Sequence, residues 1–141
     1  MGRKLACLAV ICLIILSVLN FVGCNTASNG FAADNAFGQT IKEKLDNIAN
    51  PRDSIVSLSS NPYDYIETPN GNEYYKFIVS QGERSLNYML EKFAGNSDNG
   101  LKEYIMAIAC SEILGENTDS KDWASGREWY NGYIKSNSTN P

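Results

Sequence analysis

The segment from Leu101 to Leu114 constrains this chain more than any other. Between Tyr104 and Cys110 it reads Tyr-Ile-Met-Ala-Ile-Ala-Cys, apolar nearly all the way round a helix. A helix without a polar face has to be covered on every side. The segment therefore predicts a buried central helix, closed by Gly115, with other helices gathered around it.

The covering helices show in their periods. Ile41, Leu45, Ile48 and Ala49 recur at i, i+4, i+7 and i+8 behind Thr40-Ile41-Lys42-Glu43, which has the form of a capping box. Asn50-Pro51 stops that run. Tyr74, Phe77 and Ile78 line one face of a segment that starts near Asn72 and ends at Gly82. Leu86, Met89, Leu90 and Phe93 follow at i, i+3, i+4 and i+7, with Gly95 behind them. Ser125-Gly126-Arg127-Glu128 is a second capping box, opening a last helix with Trp129, Tyr130, Tyr133 and Ile134.

Two stretches resist this reading. Residues 53–60 contain Ile55-Val56-Ser57-Leu58, which reads as a short helix opened by Pro51 or as a short strand. Asn61-Pro62 and Thr68-Pro69-Asn70-Gly71 bracket a turn-rich segment with Tyr63, Tyr65 and Ile66. No stretch alternates clearly like a strand. The expectation is an all-α fold, a small helical domain of about five helices over residues 40–135. Residues 72–95 and 100–135 have the rhythm of helical hairpins. In rhythm, though in no consensus motif, they are similar to α-solenoid repeats of the HEAT and armadillo type.

Ahead of that domain lies a different kind of sequence. Arg3 and Lys4 precede an 18-residue run from Leu5 to Val22, interrupted only by Ser17 and Asn20. A cationic start, an apolar stretch and a small residue at the junction describe an export signal, although the run is also near the minimum for a spanning helix. Residues 1–23 hold 17 of the apolar residues, so the whole-chain apolar share of 43% overstates the core. Beyond them the chain carries ten bases against 16 acids, a formal −6 rather than −4. That balance argues against a nucleic-acid binder.

Phe21-Val22-Gly23-Cys24 resembles the lipobox of bacterial lipoproteins, with Phe21 in place of the usual Leu. The resemblance implies a signal peptide over 1–23, removed before Cys24, and a diacylglyceryl or palmitate-type lipid on that cysteine. It also implies an address on the outer face of the cytoplasmic membrane. Residues 24–39 are small, polar and almost uncharged, and read as a lipidated flexible tether about 20 Å from end to end. Residues 136–141 read as a disordered tail. Asn61-Pro62-Tyr63-Asp64-Tyr65-Ile66 and Gly126-Arg127-Glu128-Trp129-Tyr130 are similar to segments of small helical lipoproteins of Gram-positive bacteria. That second resemblance implies no activity.

Chemistry-bearing residues are few. The chain has no histidine, which removes every His-dependent mechanism and, with the cysteines below, zinc. Cys7 and Cys12 lie in the leader and Cys24 takes the lipid, leaving Cys110 alone in an apolar run. A small buried hydrophobe is its expected role. The oxygen-rich turns at Asn96–Gly100 and Asn117–Asp122 resemble calcium loops superficially. Counted from Asn117, Lys121 and Asp122 fall at positions five and six, where such a loop needs a ligand and a glycine. No metal and no cofactor is expected. Glu112 shares a stripe with Leu101, Ile105 and Ile108, and is expected half-buried against Arg84 or Arg127.

Aromatic residues remain. Tyr74, Tyr104 and Trp129 are expected in the core. Tyr63, Tyr65 and Trp123 sit on turns and are the candidate ligand contacts, suited to a sugar or a peptide. The combined expectation is a non-enzymatic binding or interaction module, anchored to the membrane by lipid. Its ligand would be a protein, a peptide or a cell-wall component. A small hydrolase using carboxylates or Tyr/Ser, and a structural or stress-linked lipoprotein without a tight ligand, are the alternatives.

Overall fold

The computed structural model describes residues 26–52, 55–116 and 123–138. The chain forms two compact units, Met1–Phe37 and Gly38–Pro141. In the first unit the described residues, 26–37, are helical and belong to helix α1, Thr26–Ala49. The lipobox, with Phe21, Val22, Gly23 and Cys24, lies outside the described residues.

The second unit begins within α1 and continues through a 3₁₀ turn at Val56–Leu58 and helices α2 (Pro62–Ile66), α3 (Pro69–Ser80) and α4 (Glu83–Gly95). It ends with α5 (Leu101–Ile113) and α6 (Gly126–Ser138). The described residues contain no strand, and the fold is all-α. None of their helices is long and apolar enough to cross a membrane.

Helix α5 is the centre. Every residue from Ile105 to Ser111 is buried, and α2, α3, α4 and α6 all pack against it. Its apolar circumference is matched by neighbours on all sides, as the sequence requires. Ile41, Leu45 and Ile48 of α1 are buried too, and Lys102 of α5 reaches Asp46 of α1 at 3.2 Å. Lys44 holds its ammonium 4.8 Å from the Tyr74 ring centroid and 4.4 Å from that of Phe77, which ties α1 to α3.

The far end of α5 closes in a Schellman motif. Gly115 takes φ +70°, its N–H donates to the Glu112 carbonyl, and the Glu116 N–H donates to the Ser111 carbonyl. The Trp129 indole N–H then donates to Glu116 Oε2 at 3.1 Å, fastening α6 over that end. At the near end α6 crosses α5 at Gly126. A Cβ there would stand 2.2 Å from the Glu103 carbonyl oxygen, so only glycine permits the crossing.

Several expectations change. Residues 26–39 read as a flexible tether, yet they are helical, and Thr40 lies inside α1 rather than at its cap. Ala27, Ala32, Ala33 and Ala36 favour helix. Extending a helix already nucleated by a docked stripe avoids the nucleation cost. The tail shortens likewise: α6 runs through residues 136–138, and residues 139–141 lie outside the described part. On α3 the buried positions are Gly71, Tyr75 and Ile78 at i, i+4 and i+7, while Tyr74 is half-buried under Lys44.

Residues 56–58 form the 3₁₀ turn, with Ile55 and Leu58 78% and 86% exposed. Their apolar side chains had suggested one face of a helix or a strand. The segment read as turns is a true helix, α2, capped by Asn61 through a bond from the Tyr63 N–H. Of the two expected hairpins, α5 and α6 pack on each other, whereas α3 and α4 each pack on α5. The helices gather round one axis instead of stacking in a row.

Candidate functional site

Three helices begin side by side on the second unit. The chain before and into α2, the loop into α5 and the residues leading into α6 enclose an open cleft of about 420 Å³. Its walls are Ser59, Ser60, Pro62 and Tyr65, then Asn99, Gly100, Leu101 and Tyr104, then Ala124 and Ser125. Among the described residues, no charged side chain lines it.

Each wall is stiffened by its own cap. At α2, Asn61 donates its carboxamide to Asp64 Oδ1, and the Ser59 hydroxyl donates to Asp64 Oδ2. At α5, the Gly100 N–H donates to Glu103 Oε2 at 2.8 Å. At α6, the Glu128 N–H donates to Ser125 Oγ at 3.2 Å, and Glu128 Oε2 accepts from the Ala124 N–H at 2.7 Å. The second capping box is therefore present, with the carboxylate reaching one residue further back than usual. Three carboxylates thus offset the positive ends of three helices.

Arg127 ties the middle wall to α6. Its Nη1 donates to the Phe93 carbonyl at 2.6 Å, and its Nη2 to the carbonyls of Asn96 and Asp98 and to Asn96 Oδ1. Its backbone N–H donates to Asn99 Oδ1 at 3.2 Å. The guanidinium also lies 5.3 Å from the Phe93 ring centroid and 5.5 Å from that of Tyr130. It occupies the place that a cation would take among those carbonyls, which accounts for the oxygen-rich turn at Asn96–Gly100. The turn at Asn117–Asp122 lies outside the described residues.

With the caps spent, three side chains keep hydrogen-bonding capacity, and each of them can donate. Ser60 makes no hydrogen bond to a described residue, and the Asn99 carboxamide nitrogen makes none either. Ser125 has accepted a bond but keeps its hydroxyl proton. Beside them stand the rings. Tyr104 lines the cleft, and Trp123 packs on it with centroids 5.0 Å apart and planes tilted by 49°.

The expected ligand-contact aromatics divide accordingly. Tyr65 lines the cleft but is only 5% exposed, and its hydroxyl is used on the Ser59 carbonyl at 2.9 Å, so it is a wall and not an exposed platform. Trp123 is half-buried and does not line the cleft, but it packs on Tyr104, which does. Tyr63 is half-buried and does not line the cleft. Tyr104, expected in the core, is half-buried and belongs to the site. Asn99, Ser60 and Ser125 were missed. The only trace of them in the sequence is that each precedes a helix start.

Two other candidates settle as structure. Glu112, expected half-buried, is exposed and accepts a 2.6 Å bond from the Tyr75 hydroxyl. Arg127 is occupied by carbonyls. Burial, followed by that bond to Glu112, pushes the Tyr75 hydroxyl far above its usual range. Cys110 is fully buried, and burial pushes its thiol up as well, which keeps it protonated and unreactive. No cluster of potential metal ligands occurs among the described residues. Compared with protein-family models, curated proteins and solved structures, the chain matches none.

Proposed function

We propose that this chain is a lipid-anchored, extracytoplasmic binding module whose ligand enters the cleft at the three helix starts. The address rests on Arg3-Lys4, the apolar run to Val22 and the junction at Cys24. The binding role rests on one observation: three capped helix starts bring Ser60, Asn99 and Ser125 around an open cleft with hydrogen-bond donors to spare. Small-molecule sites commonly consist of a few placed polar groups beside rings on a fixed scaffold.

Two experiments test the two halves. Metabolic labelling with a palmitate analogue should mark the wild-type chain and leave Cys24→Ala unmarked and released from the membrane fraction. Equal labelling of both would remove the lipid anchor. Hydrogen exchange of the membrane-embedded chain, with and without a solubilised cell-envelope extract, should slow the amides around Ser60 and Leu101. Exchange there that no extract alters would remove the binding role.

A further inference from the structure

We infer that the cleft takes an uncharged, hydroxyl-rich ligand of saccharide type, laid against Tyr104, on which Trp123 packs, and held by Asn99, Ser60 and Ser125. This inference rests on the binding reading above and names its ligand class.

Charge excludes most other ligands. An anion would meet no cation among the described lining residues; nearby, both Arg127 Nη atoms are spent on carbonyls and Lys102 on Asp46. It would also stand close to the carboxylates of Asp64, Glu103 and Glu128, on a chain that is −6 beyond its leader. A cation would find those carboxylates already bonded to the caps and none of them in the lining. A purely apolar ligand would leave the Ser60 hydroxyl and the Asn99 carboxamide without partners as it excluded water.

A neutral sugar meets each condition. Its hydroxyl and ether oxygens accept from the unspent donors. The C–H face of a sugar ring suits the electron-rich face of an aromatic ring. The volume of about 420 Å³ lies at the lower end of the range for small-ligand sites, which suits a short saccharide. An extended peptide is less well served. There is no sheet edge among the described residues for it to join, and Tyr65, which would have to form part of an aromatic ridge, is buried with its hydroxyl committed.

The test uses the full chain in detergent micelles, titrated with triacetylchitotriose and with maltotriose. Trp129 is 4% exposed, whereas Trp123 is half-buried against Tyr104 of the lining, so emission changes on binding report Trp123. At least one trisaccharide should shift the emission and give calorimetric heat, half-saturating near or below about 1 mM, as expected for a shallow site with a few hydrogen bonds. Ser60→Ala, which removes no bond to a described residue, should weaken that binding about fivefold with an unchanged melting curve. Asn99→Ala should weaken it at least as much, and the melting curve separates loss of contact from loss of the Asn99–Arg127 bond.

Silence of both sugars at 20-fold that concentration overturns the inference. So does binding that Ser60→Ala and Asn99→Ala leave untouched, because the sugar then sits elsewhere. A proline-rich decapeptide that binds at Ser60 and Asn99 while the sugars do not overturns the saccharide class and leaves the binding role standing. Loss of the binding role itself is read separately, from the extract-induced exchange protection.

Discussion

The two ends of helix α5 face opposite tasks. At its C-terminal end the Schellman turn at Gly115 and the Trp129–Glu116 bond close the helix, and Trp129 packs on Phe93 and Tyr133. At its N-terminal end Gly100 and Leu101 border an open cleft with unspent donors. One helix thus serves as a sealed core at one end and a polar wall at the other. Apolar burial supplies stability, whereas a polar surface that stays wet contributes little to it and remains available to a ligand. Residues of the sealed end should therefore move the melting temperature. Polar groups of the open end that bond to no described residue, such as the Ser60 hydroxyl, should move binding alone.

The largest expected effect tests the ring cluster in which Trp129 of the sealed end meets Phe93 beside Arg127. Phe93 is 1% exposed and touches Trp129, Tyr130 and the Arg127 guanidinium. Phe93→Ala should cost about 4 kcal/mol, a large share of the stability of a domain this size, measured by urea unfolding. A loss below about 1 kcal/mol would show that this ring cluster is not what holds the fold.

Gly126 sharpens the seam between the ends. Gly126→Ala places a methyl group against the Glu103 carbonyl and should cost about 3 kcal/mol, because backbone rather than a flexible side chain has to move. It should also disturb the cleft, since Ala124 and Ser125 precede it directly. A variant as stable as wild type would mean that the two helices can separate freely at this point.

Tyr75→Phe should cost about 1 kcal/mol at neutral pH. Its clearer signature is in alkali. The folded state holds the Tyr75 proton more tightly than the unfolded chain does, so its stabilisation is complete below about pH 10 and is lost as pH rises beyond. Thermal melts above pH 10 should fall less steeply for Tyr75→Phe than for wild type. Parallel slopes would disprove the coupling.

Asp46 gives the smallest effect. Burial raises its carboxyl, but the hydrogen bonds from Lys42 and Lys102 outweigh this and hold it below its usual value. Its contribution is present above about pH 4 and is lost as pH falls below. The carboxylate is one-third exposed, so Asp46→Asn should cost less than about 1 kcal/mol, and less again in high salt. A greater cost would make the α1–α5 bridge a main support of the fold.

Local signals carried over into the structure where one face or one cap decided them. The stripe Ile41, Leu45 and Ile48 and the stripe Leu86, Met89 and Phe93 are buried, with Ala49 and Leu90 only half-buried beside them, and the stop at Gly115 and the Ser125 cap stand where their spacing puts them. Signals failed where two readings were locally equal. Tyr74 and Tyr75 are adjacent and identical, and only packing against α5 and Glu112 buried the second. The uncharged stretch before Thr40 has the composition of a linker and also the alanines of a helix. The cleft was illegible because its donors come from three separated segments, each of which looks like an ordinary cap in the sequence.

By itself, the sequence determined an all-α core around residues 104–110, because a helix without a polar side is stable only when surrounded. It also determined most of the helix stops, because glycine, proline and capping side chains act within one turn. The tertiary structure decided which rings are buried, that Arg127 serves carbonyls and not Glu112, and that three helix starts meet around one cleft. Those outcomes depend on distances between segments far apart in the chain. Such distances follow from how helices pack around α5, which no local pattern encodes.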